Sequence, residues 1–201
     1  MKYIDTVLSW VWRLLYLNIL WILFSLPLIT VFPSTLSLFK MTNQVISTKG
    51  QEPSFKLFKQ LFREYFWRSY SFALAVLLFF AMVWLDINIL HLDMGLLSEI
   101  WFYMIIVLAM IGFAVIQFTL YLMVSINLRM RDSWALGFVL TVRYPFHSVL
   151  MLIVYVLISL LFLLQTGLGL LFVGSLLSLL VSLIARHALS QFEQQVLEQS
   201  S

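Results

Sequence analysis

The chain has no cysteine among its 201 residues. That excludes disulfides, thiol nucleophiles and thiolate metal sites. Charge is scarce as well: Asp, Glu, Lys and Arg make up 10% of the sequence, against roughly 25% in a soluble domain. No GxxxxGK[ST] or GxGxxG loop occurs, so no phosphate-cradling nucleotide motif is present. No HExxH or other metal-ligand spacing appears. The three histidines, His91, His147 and His187, fall in different connections and helix ends, where an interface role is the ordinary reading. No Ser/His/Asp set follows from spacing. The expectation is a protein that is not an enzyme and carries no cofactor and no metal.

What fills the space is apolar. Hydrophobic residues make up 63% of the chain, and the mean hydropathy is +1.02. Such a chain cannot clothe itself with polar groups in water, so the bilayer is its solvent. A span takes roughly 20 apolar residues, and several spans with short connections use up the length. The expected fold is therefore an all-α polytopic membrane bundle forming a single domain over 1–201. Five transmembrane helices are expected, at roughly 11–31, 69–90, 100–126, 146–164 and 168–186. Leu26-Pro27 and Phe32-Pro33 follow the first apolar run where a small-x-small site would stand, so no cleavable leader is expected.

The first stretch organises the rest. Pro27 removes a helix hydrogen bond, and Pro33 is expected to end the helix. The carbonyls freed at membrane depth need partners within the protein, and Ser25, Thr30, Ser34 and Thr35 are nearby donors. Residues 37–68 read as the main polar connection. Within it, 54–68 is amphipathic: Phe58, Leu61, Phe62 and Tyr65 fall on one side, and Lys56, Lys59 and Arg63 on the other. Such a helix suits the membrane interface, its basic face toward anionic headgroups. The alternative is a solvated helix packed on the end of the bundle. Residues 127–145 are basic again, with Arg129, Arg131 and Arg143 against Asp132, and Asp132 or Ser133 is expected to cap a short helix running to Tyr144.

Lysine and arginine counts set the orientation. The lead carries two, the first connection six including Arg68, the second none, the third three, the fourth none and the tail one. With basic connections on the cytoplasmic side, the N-terminus lies outside and the C-terminus in the cytoplasm of a bacterial plasma membrane. The competing arrangement bends 11–36 into a re-entrant hairpin at its prolines, with the N-terminus inside and four spans. The net charge of +3 then belongs to the membrane surface, and nucleic acid is not an expected partner. On the opposite side Asp86, His91, Asp93 and Glu99 form an acidic loop, read as solvated rather than cation-binding. A weak internal repeat relates residues 63–69 to 143–148 and residues 125–129 to 182–186.

No charged residue sits mid-span, which argues against an ion-coupled pump. The deep polar groups are amides and hydroxyls. Asn18 and Ser25 share a face at i, i+7; Gln117 and Tyr121, and Tyr155 and Ser159, do so at i, i+4. Two readings stay open: interhelical hydrogen bonds, the commoner arrangement, or the lining of a cavity for a neutral polar solute. Gly174, Ser178 and Ser182 recur every four residues and offer a neighbouring helix a close approach.

Asn18, the step Leu26-Pro27-Leu28-Ile29-Thr30 and the step Pro33-Ser34-Thr35 resemble the opening signature of the YesL family of bacterial integral membrane proteins. The Phe58, Phe62, Phe66 rhythm and Arg143-Tyr144-Pro145 are similar to later parts of that family. Residues 36–40, Leu-Ser-Leu-Phe-Lys, depart from an expected alanine-rich run. The resemblance implies a membrane bundle with no catalytic residues and an accessory role beside carbohydrate-uptake transporters. The expected function is thus a non-enzymatic accessory or scaffold protein, its partner a transporter subunit or a second copy of itself. The alternative is a small homo-oligomeric transporter or channel for a neutral polar solute such as a sugar.

Overall fold

The computed structural model of the chain describes residues 2–47, 52–89, 96–126 and 128–200. His91 and Asp93, and also Gly50, which with Pro53 is expected to mark a turn, lie outside them. Among the described residues the regular structure is helical: α1 (Lys2–Ser25), α2 (Val31–Ser47), α3 (Phe55–Ile89), α4 (Leu96–Ser125), α5 (Met130–Arg143), α6 (Pro145–Leu164) and α7 (Thr166–Ser200). Among the described residues five helices are long and apolar enough to cross a membrane: Val7–Ser25, Phe55–Asn88, Glu99–Ser125, Pro145–Leu164 and Gly169–Glu198. The chain is a multi-pass all-α membrane bundle.

Pro27 breaks the first stretch. It is extended, at φ −75° and ψ 111°, and a 3-10 turn over Leu28–Thr30 follows. A proline has no N–H to give and disfavours a helical residue before it. Thr30 repairs the break: its hydroxyl lies 2.6 Å from both the Phe24 and the Pro27 carbonyl oxygens. Its N–H also donates to Pro27 at 2.7 Å. Thr35 donates to the Val31 carbonyl at 2.8 Å. The Ser25 and Ser34 hydroxyls are buried and take no partner among the described residues.

Two expectations are corrected here. Pro33 does not end a helix. It stands in the first turn of α2, where helix N–H groups have no intrahelical partner to lose. And residues 37–47 are not a polar connection. They belong to α2, whose buried residues include Leu36, Leu38, Phe39, Met41 and Val45. α2 packs on α1, α3, α4 and α7 at once. Its 17 residues reach about 25 Å, and most of its surface meets protein.

The interfacial helix expected at 54–68 is not separate from the second span. α3 runs unbroken for 35 residues, about 52 Å, so it exceeds the roughly 30 Å hydrocarbon core. The amphipathic pattern is kept, but its apolar side faces protein. Phe58, Leu61 and Tyr65 are buried, and the Phe24 ring lies 5.1 Å from those of both Phe58 and Phe62. Lys56, Lys59 and Arg63 face outward. The tail likewise continues α7, so the fifth span and residues 187–200 form one 35-residue helix.

α5 lies close along α4. A Cβ on Gly137 would come 2.6 Å from Thr119 Oγ1 and 3.3 Å from the Val115 carbonyl oxygen, so only glycine permits this approach. Neither Asp132 nor Ser133 caps α5. Both lie inside the helix, and Ser133 Oγ donates to the Arg129 carbonyl at 3.1 Å.

Candidate functional site: polar contacts inside the bundle

Asn18 is fully buried. Its Nδ2 donates to the Leu170 carbonyl at 2.7 Å. Its Oδ1 accepts from the backbone N–H of Gly174 at 2.9 Å and of Ser175 at 3.2 Å. One carboxamide from α1 therefore bonds the backbone of α7 at Leu170, Gly174 and Ser175. Gly174 makes this approach possible. A Cβ there would lie 2.8 Å from the Trp21 ring and 3.0 Å from Asn18 Oδ1. Trp21 in turn donates through Nε1 to Thr35 Oγ1 at 3.2 Å, joining α1 to α2.

The same seam continues down α7. Ser178 and Thr42 hydroxyls lie 2.9 Å apart, and both residues are buried. Ser182 is 1% exposed, its hydroxyl without a partner among the described residues. The small-residue face thus receives α1 and α2 of the same chain. Ser175, also fully buried, belongs to it but falls outside the four-residue register.

α2 and α4 meet through Lys40, whose Nζ donates to the Val124 carbonyl at 2.7 Å, and Asn43, whose Nδ2 donates to Ser125 Oγ at 2.8 Å. α4 and α6 meet through the Tyr155 hydroxyl, which donates to Gln117 Oε1 at 2.9 Å. That pair borders a cleft of about 180 Å³ whose other walls are mainly apolar, among them Phe39, Phe72, Val76 and Phe113.

The predicted pairings separate in three places. Ser25 takes no hydrogen bond among the described residues, while Asn18 bonds α7. Tyr121 borders a different cavity from Gln117. Ser159 faces outward, not into the cleft. The basic residues divide too. Lys56, Lys59, Arg63, Arg129 and Arg131 are exposed. Arg68 donates to the Leu128 carbonyl. Arg143 donates to Gln195 Oε1 at 3.1 Å and lies over the Phe192 ring. Tyr144 donates to the same oxygen at 3.0 Å, so Gln195 ties the tail of α7 to the α5–α6 junction. Two histidines read as scattered also meet: His147 Nε2 and His187 Nδ1 are 3.0 Å apart, their rings stacked. Forty residues of sequence separate them; the hairpin of α6 and α7 closes that gap.

Residues 14–87 match the family model described as a protein of unknown function, DUF624. Over 190 residues the chain is 26% identical to the uncharacterized protein YesL of Bacillus subtilis (strain 168), an alignment covering 92% of this chain and 89% of the relative. The chain is thus similar to YesL over most of its length. No solved structure matches it. The DUF624 match runs from α1 into α3. It takes in Asn18, the Pro27 break and the buried α2, so the segment that matches the family model is also the one that threads the centre of this bundle.

Chemically, this interior joins helices. Its amides and hydroxyls are mostly spent on backbone carbonyls, backbone N–H groups and one another. Among the described residues no group of three or more His, Asp or Glu stands together as a metal site.

Proposed function

We propose that this chain is a non-enzymatic accessory or scaffold protein of the bacterial plasma membrane, serving carbohydrate uptake beside a transporter subunit. The observation that carries the scaffold reading is the bonding of Asn18 to α7. A polar group at that depth is either a ligand contact or a structural joint, and here both of its ends are occupied by backbone. The carbohydrate link rests on the family resemblance alone. The orientation follows from the basic connections: N-terminus outside, C-terminus cytoplasmic, with Lys56, Lys59 and Arg63 meeting anionic headgroups.

The experiment is solute uptake into proteoliposomes holding the purified chain alone. The scaffold reading predicts no sugar flux above empty vesicles, and a loss of sugar uptake in cells deleted for the gene. The transporter reading draws its support from the cleft beside Gln117 and Tyr155. It predicts flux from the chain alone, abolished by Gln117→Leu.

A further inference from the structure

A second cavity lies at the basic end of the bundle, and helix joining uses only part of its polar lining. It measures about 250 Å³. α2 lends it Lys40, Asn43, Gln44 and Ser47, which recur at i, i+3, i+4 and i+7 and so share one helix face. α4 adds Tyr121 and Ser125, one turn apart, and α7 adds Arg186. Asn43 donates to Ser125 at 2.8 Å, and Tyr121 lines the same cavity one helical turn before Ser125, so amide, hydroxyl and phenol share one polar wall. Lys40 gives one N–H to the Val124 carbonyl and keeps two more. No carboxylate occurs among the described lining residues; Glu193 acts on Tyr121 from outside the lining.

Two cations therefore face a shared polar cavity whose described wall holds no counter-charge, in a chain where charge is scarce. Bringing like charges together near low-dielectric surroundings is unfavourable until an anion joins them. The donor types suit a tetrahedral oxyanion. The arginine fork can take two of its oxygens, the lysine a third as a point charge, and amide and hydroxyl groups the remainder. Basic pockets between helices at the cytoplasmic end of membrane proteins take phosphate headgroups in this way. We propose that the pocket between α2, α4 and α7 binds a phosphate group through Lys40 and Arg186. The phosphate comes from an anionic phospholipid headgroup or from a soluble phosphorylated molecule. The chemistry is common to both sources.

The test uses the full chain purified in phosphate-free dodecyl maltoside micelles, and follows its thermal unfolding midpoint. One arm adds inorganic phosphate against chloride at equal ionic strength. The other replaces part of the maltoside with phosphatidylglycerol. Wild type and Lys40→Arg are expected to gain several degrees with at least one probe. Lys40→Gln and Arg186→Gln are expected to lose at least half of that gain. Lys56→Gln/Lys59→Gln, which removes twice the charge of either single variant from an exposed face, is expected to keep it. Arg186 is exposed, so Arg186→Gln carries the test even if Lys40→Gln does not fold. A gain with inorganic phosphate assigns a soluble ligand, and a gain with phosphatidylglycerol alone assigns a lipid headgroup. The proposal is overturned by no gain with either probe, by an equal gain with chloride, or by a gain that Arg186→Gln keeps in full.

Discussion

Single residues decide how closely the helices approach. Asn18 is the clearest case. Asn18→Leu keeps the branched shape but removes the hydrogen bonds to Leu170, Gly174 and Ser175. Polar contacts between membrane helices are worth about 0.6 kcal/mol on average and up to about 1.7. We expect Asn18→Leu at the upper end, read as a lower midpoint in detergent unfolding, with Tyr155→Phe nearer the average. Gly174→Leu drives a side chain against the Trp21 ring and should cost about 1–3 kcal/mol by overpacking. Phe58, with no exposed surface, should cost about 3–5 kcal/mol when cut to alanine. At this scale the sequence was informative about which residues matter and less so about what they touch. Asn18, Gln117, Tyr155, Gly174 and Ser178 stand out as polar or small groups in apolar runs. Their partners lie up to 157 residues away, and helical periodicity carries no information about such distances. His147 and His187 are the same case: each looks solitary until the hairpin joins them.

At the scale of the element, the break at Pro27 was legible because proline acts locally, through its own missing N–H and its clash with the preceding residue. The role of Pro33 was not, because the same chemistry ends one helix or opens the next, and only the position of the first turn distinguishes them. α2 was misread for a physical reason. Its Lys40, Thr42, Asn43 and Gln44 lower its hydropathy below that of a lipid-facing span, yet a helix surrounded by protein does not need to be apolar all round. It needs each polar group met, as Lys40 is by Val124, Thr42 by Ser178 and Asn43 by Ser125. Hydropathy reports exposure to lipid and is silent on such pairing. Thr30→Val should loosen the turn between α1 and α2 by about 1 kcal/mol, since its hydroxyl serves two carbonyls freed by proline. The check is faster hydrogen exchange at the N–H groups of residues 28–32, with α4 exchange unchanged.

For the whole molecule, the membrane class and the five long apolar helices follow from composition and run length, because the bilayer punishes any unpaired backbone and leaves few solutions. The orientation is a charge argument. With single cysteines in this cysteine-free background, a membrane-impermeant thiol reagent on intact cells should label Glu99→Cys and leave Lys56→Cys unlabelled. The reverse result would invert the bundle. The spatial order of the helices was not legible. It depends on α2 reaching the centre, and the polar seam of Asn18, Thr42 and Ser178 that fixes it there joins residues remote in sequence.

The most direct measurement of this account places single cysteines at Leu38 and Met41, two positions of α2 each 1% exposed, with Lys56→Cys as the exposed control. Permeabilised membranes are treated with a charged thiol reagent, before and after unfolding in dodecyl sulfate. A helix at the dry centre of the bundle predicts no label at 38 or 41 until the protein is unfolded, and prompt label at 56. Prompt label at 38 and 41 in the folded protein would put α2 in water, and would contradict both the buried seam and the scaffold reading built on it.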